Sequence, residues 1–160
     1  MKTAQNNPAE QLVRVFKEKG ITVSTAESCT GGLIAKLITD VSGSSAVFSG
    51  ACISYTNDVK MRVLGVPHEI IERETEVSTA CAMAMAEGAR RLFQTTVAIS
   101  TTGFAGPTGG TERDPVGTVY IGLATPKGTS CVRFSADPKC SREEIRTRAA
   151  FRALEEILKI

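Results

Sequence analysis

ITVSTAESCTGGLIAKLI, residues 21–38, is the stretch whose reading decides the fold class. Its first six residues, 21–26, are β-branched, small or apolar and read as a strand. Glu27-Ser28-Cys29-Thr30-Gly31-Gly32 then turns the chain. Leu33, Ile34, Leu37 and Ile38 follow at a spacing that sets all four on one helical face. A strand, a glycine turn and an apolar-faced helix in succession are the building unit of α/β sheets, which place ligands beyond the carboxyl ends of their strands.

The pattern continues on both sides. Residues 8–19 carry Leu12, Val13, Val15 and Phe16 on one helical face, and Gly20 ends the run. Beyond the small residues of 42–51, a second strand is predicted over 49–55 and a helix over 57–64, closed by Gly65 and Pro67. Ser78 is an N-cap for a helix to about Leu92. TTVAIS (95–100) is a short strand running into the loop GFAGPTGGTERDP. Strands over 118–124 and 129–135 are joined by Pro126-Lys127-Gly128, which suits a hairpin turn. Ser141 and Glu144 form a capping-box pattern for a last helix reaching Ile160. These elements predict one α/β domain over residues 1–160, a three-layer α/β/α arrangement with a mixed sheet.

Composition narrows the chemistry. Nineteen Lys and Arg against 17 Asp and Glu give a net charge of +2, with no basic block, which argues against a nucleic-acid partner. His68 is the one histidine, so multi-histidine metal sites are excluded and a Ser-His-Asp triad would rest on that residue alone. Five dispersed cysteines without a CxxC pair indicate neither a disulfide framework nor a zinc ribbon. With no signal-like or membrane-length apolar run, the expectation is a cytoplasmic protein without a membrane partner.

Two glycine loops, 27–32 and 102–110, lie where an α/β sheet binds anions, yet neither matches a P-loop or a dinucleotide fingerprint. Gly43-Ser44-Ser45-Ala46-Val47 lacks the last glycine of a nucleophile elbow, and the chain contains no Ser-x-x-Lys.

Four segments in order, TAESCTGG (25–32), GSSAVFSGACISYTNDVK (43–60), STTGFAGPTGG (100–110) and DPVGTVYIGLA (114–124), resemble the CinA C-terminal domain family. The resemblance runs from about residue 8 to the C-terminus. It implies a nicotinamide-nucleotide amidase, which hydrolyses the carboxamide of nicotinamide mononucleotide to nicotinate mononucleotide and ammonia. It further implies catalysis by Ser45, Tyr55 and Lys60, with substrate bound by Ser28, Thr30, Gly43, Thr102, Gly103 and Arg142. The partner implied is a small nucleotide, with no cofactor and no metal, in a homo-oligomer. Phe104 and Thr108 depart from the family's pattern, where isoleucine and aspartate are common.

Taken singly, Lys60 reads as a surface lysine, Tyr55 as a strand-end tyrosine and Ser45 as a loop serine. As a base, Lys60 faces a stiff requirement: at a pKa of about 10.4, roughly one molecule in 2,500 is neutral at pH 7. Lowering that pKa to about 7–8 asks for about 4 kcal/mol from burial and neighbouring charge. Arg142, in the first turn of the last helix, suits a phosphate, with Arg146 one turn further on. Glu27 is placed to orient Ser28 or bind a ribose. Competing readings are a non-catalytic nucleotide-binding module, a thiol enzyme using Cys29, and a protein acting on DNA. His68 is expected to be dispensable.

Overall fold

The structure, a computed structural model, describes residues 7–160. Its elements run α1 (Pro8–Lys19), β1 (Val23–Glu27), α2 (Leu33–Thr39), a 3-10 turn (Ser44–Ala46), β2 (Phe48–Ile53) and α3 (Asn57–Leu64). They continue with α4 (His68–Glu74), α5 (Thr79–Phe93), β3 (Val97–Gly103), β4 (Thr118–Thr125), β5 (Gly128–Ser135) and α6 (Arg142–Ile157). The helix ends follow the cap chemistry. Asn7 Oδ1 accepts from Ala9 N at 3.0 Å, Ser78 Oγ from Cys81 N at 3.1 Å, and Ser141 with Glu144 closes a capping box.

The strands form one mixed sheet in the order β2-β1-β3-β4-β5. β1 pairs in parallel with both β2 and β3, whereas β4 and β5 return antiparallel as a hairpin. β1 is buried along its whole length, as expected for a parallel strand covered on both faces. α1, α2 and α6 cover one face through a core that includes Leu12, Phe16, Ile34, Ile38, Ile145 and Leu154. α5 covers the other, with α3 and α4 outside it, and Cys81, Met85, Ala86 and Ala89 meet Ala26, Ala98 and Ala124. The small residues on α5 let α3 come close: a Cβ at Gly88 would collide with the Leu64 carbonyl oxygen. This is the three-layer α/β domain that the element order predicts.

One boundary differs where it matters. The second strand ends at Ile53 rather than residue 55. Ser54 N still donates to Glu27 O at 2.9 Å, and the chain then leaves the sheet for the Thr56 cap of α3. Ser54 and Tyr55 therefore stand at the carboxyl edge of the sheet instead of inside it. Among the described residues, no helix is long and apolar enough to cross a membrane.

Candidate active site

The three parallel strands deliver their carboxyl ends to one place. Ser28 follows β1, Ser54 and Tyr55 follow β2, and Thr102 and Gly103 close β3. The first of these junctions is organised by Glu27, which is fully buried. Its carboxylate accepts from Ile34 N (2.9 Å), Ala35 N (3.0 Å), Thr30 Oγ1 (2.7 Å) and Thr25 Oγ1 (3.1 Å). It thus caps the start of α2, so the sequence expectation that it orients Ser28 or meets a ribose does not hold. Gly31 and Gly32, at φ of 58° and 99°, turn the chain where a side chain would be strained. Arg146 clamps the outside of this turn, donating to Cys29 O and Thr30 O, both at 3.0 Å.

Lys60, one turn into α3, points inward and is 1% exposed. Its Nζ lies 3.1 Å from Ser28 Oγ, 2.8 Å from Ser54 O and 3.5 Å from Tyr55 O. A neutral amine has two N–H groups and one lone pair. Nζ is placed to donate to the two carbonyls and to the Ser28 hydroxyl, and a neutral amine would turn its lone pair to the Ser28 O–H instead. Burial lowers the Lys60 pKa below the ordinary lysine value, while the Cys81 thiol and Glu76 carboxylate act in the opposite direction.

Ser28 and Lys60 line a cavity of about 350 Å³. Its other walls include Thr56, Asn57, Glu76, Thr102, Gly103 and Phe104, with Tyr55, Thr108 and Arg142 also on its surface. Arg142 Nη1 donates to Gly106 O at 2.7 Å and Nη2 to the Tyr55 hydroxyl at 3.1 Å. Thr102 Oγ1 donates to Glu76 O at 2.6 Å, tying the end of β3 to the turn between α4 and α5. That turn is strained: Thr75 sits at φ 70° and ψ 170°, a region β-branched residues avoid, at a cost on the order of 1–3 kcal/mol. Asp114 anchors the long loop on the far side, accepting from Tyr120 Oη at 2.7 Å and from Arg133 Nη2 at 3.2 Å.

The residues named from the sequence divide into two groups. Lys60, Ser28, Tyr55, Thr102, Gly103 and Arg142 meet at the cavity. Ser45 and Gly43 do not. They lie at the 3-10 turn before β2, exposed, and β2 carries the chain away from them for six residues. At about 3.3 Å per residue, that puts Ser45 roughly 20 Å from Ser54 and the lysine beside it. Thr30 is also displaced from its expected role, since its hydroxyl is held by Glu27 and Thr101 beneath the cavity. Tyr55 is 59% exposed, and its hydroxyl bonds Arg142 rather than Lys60, so a relay through it is not built here. Arg146 spends its donors on the turn. Burial pushes the Cys29 thiol up to about 12, which leaves it protonated and unsuited to attack. His68 is exposed, 3.6 Å from Glu72 Oε1. Glu76 carried no signal in the sequence, because only the fold brings the α4–α5 turn to β3.

Fold and site together define a three-layer α/β domain that holds a buried lysine against a serine at the carboxyl edge of its parallel strands. Residues 5–160 match the CinA C-terminal domain, and the chain belongs to that family. It is 48% identical over 146 residues to a CinA-like protein of Geobacter sulfurreducens, covering 90% of this chain and 34% of that protein. A putative competence-damage inducible protein of Desulforudis audaxviator is 49% identical over 127 residues, covering 79% of this chain and 31% of that protein. The chain therefore spans about a third of the length of the curated relatives it matches. Among solved structures, the competence/damage inducible protein CihA of Agrobacterium tumefaciens superposes with a TM-score of 0.92 at 36% identity, covering 99% of this chain and 98% of that one. A competence damage-inducible protein A from Klebsiella pneumoniae gives a TM-score of 0.91 at 29% identity, covering 96% of each chain.

Proposed function

We propose that the chain is an amidase that hydrolyses the carboxamide of nicotinamide mononucleotide to nicotinate mononucleotide and ammonia, with Ser28 as nucleophile and Lys60 as its base. The observation that carries this reading is the 3.1 Å approach of Lys60 Nζ to Ser28 Oγ on the buried side of the cavity. A serine paired with a desolvated lysine is a known variant of the serine–histidine arrangement. It also suits a protein whose lone histidine lies exposed on another helix.

In the first half-reaction, neutral Lys60 takes the Ser28 proton as Oγ forms a bond to the carboxamide carbon. In this reaction the Cys29 amide N–H, next along the chain at the cavity wall, receives the oxyanion. Lys60 then passes its proton to the leaving nitrogen, the C–N bond breaks, and ammonia departs from an ester on Ser28. Water attacks the ester with Lys60 again accepting a proton. The tetrahedral adduct collapses by breaking the C–Oγ bond, that proton returns to Oγ, and the nicotinate product leaves. Arg142 and the Tyr55 hydroxyl, at the mouth of the cavity, serve the 5′-phosphate.

One observation favours a second reading, a non-catalytic pyridine-nucleotide-binding module. The same three oxygens around Nζ also satisfy an ammonium donating to all of them, and a Ser28 held as acceptor by a charged lysine is no nucleophile. Ammonia release from nicotinamide mononucleotide separates the two. Turnover by the wild type that disappears in Ser28→Ala and persists in Ser45→Ala supports the amidase. Tight binding without ammonia supports the module.

A further inference from the structure

The cavity carries one charged side chain that the proposed reaction leaves unused. Glu76 stands on its wall, in the turn between α4 and α5, half-buried and without a salt-bridge or side-chain hydrogen-bond partner among the described residues. It lines the same cavity as the Ser28–Lys60 pair, close enough for its charge to raise the Lys60 and Cys81 pKa values.

The turn that presents it is held from several sides despite its strain. Thr75 N donates to Ile71 O at 3.1 Å, Thr75 Oγ1 to Val77 O at 3.2 Å, and Ser78 Oγ to Thr75 O at 2.9 Å. Thr102 Oγ1 pins the Glu76 carbonyl from β3. A strained residue persists only when its surroundings over-determine it, and such residues cluster at functional sites. Here the effect is to fix the backbone from which Glu76 projects at the cavity wall.

A half-buried carboxylate with no partner among the described residues is available to a cation that enters the cavity. Neither cation of the cavity supplies that contact: Arg142 is bonded to Gly106 O and Tyr55 Oη at the mouth, and Lys60 is bonded to Ser28, Ser54 and Tyr55. Positive charge at the mouth and negative charge on the inner wall complement a ligand that is anionic at one end and cationic at the other. We infer that Glu76 is a specificity-determining residue that recognises the positive charge of a pyridinium ring, so that the site selects cationic pyridine nucleotides over nucleotides of the same size with an uncharged ring. The inference rests on the pyridine-nucleotide reading above, and it concerns binding rather than turnover.

Equilibrium titration of Ser28→Ala, which lacks the proposed nucleophile, with nicotinamide mononucleotide and with its reduced form tests it. The two ligands share phosphate, ribose and carboxamide, and only the oxidised ring is charged. Ser28→Ala is expected to bind the oxidised form about tenfold more tightly. Adding Glu76→Gln should weaken that form by about tenfold and change the reduced form by less than about twofold, while Glu76→Asp retains part of the preference. Equal weakening of both ligands, a preference that survives Glu76→Gln, or no binding of either ligand would each overturn the inference. Ammonia release by the wild type is read separately. A Glu76-dependent charge preference without ammonia defeats the amidase reading and leaves this one standing.

Discussion

The two ends of the parallel strands use hydroxyl groups in opposite ways. At the amino end, Thr22 and Thr96 exchange backbone-to-hydroxyl bonds at 2.9 and 3.1 Å, and Ser24 pairs with Thr95 at 2.7 Å. Those hydroxyls meet one another and the backbone, so they join strands and have nothing to activate them. Ser45 belongs to this end, exposed on its 3-10 turn. At the carboxyl end, Ser28 faces the amine of a buried lysine and an open cavity. A hydroxyl becomes a nucleophile through a base beside it, and among the described residues a lysine amine meets a hydroxyl at the carboxyl end alone.

Replacing either member of the pair is the strongest way to break this contrast. Ser28→Ala and Lys60→Met should each reduce kcat for ammonia release by about 10³-fold, in the range removal of a general base costs. Glu27 is the next largest effect, because four donors converge on its carboxylate. Glu27→Gln turns one acceptor oxygen into an NH2, leaving one backbone N–H and one hydroxyl without an acceptor, and should cost roughly 2–4 kcal/mol, lowering Tm by about 5–10 °C in a thermal melt. Arg142→Ala acts at the mouth, away from the bond that breaks. Its signature should be a KM raised about tenfold or more with a smaller change in kcat.

The pH dependence sharpens the same contrast. Only neutral Lys60 accepts a proton, so kcat/KM should rise with pH through an apparent pKa below the ordinary 10.5, the direction in which burial shifts it. The sign for stability is the same. A folded-state lysine pKa below the unfolded value means the unfolded chain binds more protons, so Lys60's contribution to stability improves as pH rises between the two values. A rate profile controlled by an unshifted lysine near pH 10.5 would leave Ser28 without its activation. The smallest effect belongs to the amino end: Ser45→Ala should alter kcat and KM by less than about twofold, as an exposed turn position does for stability. Loss of activity in Ser45→Ala with Ser28→Ala unaffected would reverse the comparison altogether.

Much of the fold was legible in the chain because its signals are local. Strand, glycine turn and apolar helical face lie within residues 21–38, and Ser78, Ser141 and Glu144 mark helix starts by cap chemistry that reaches only three residues. The site was legible in part. Lys60, Tyr55, Thr102, Gly103 and Arg142 sit in motifs beside strand or helix ends, and all reach the cavity. Ser28 was also in view, although as a binding residue. Glu76 was not, because its place depends on Thr102 holding a turn 26 residues away in sequence.

By itself the sequence determined an α/β chain with hydroxyl-rich glycine loops at strand ends and a lysine one turn into a helix. Which serine that lysine meets was decided by tertiary structure. Parallel pairing of β1 with β2, in a register that sets Glu27 opposite Ile53, brings the residues after both strands together and joins Ser28 to Lys60 across 32 positions. The same pairing leaves Ser45 a strand's length away. A base acts over hydrogen-bond distance, and the separation of two side chains in space is a property of strand register that neither loop encodes alone.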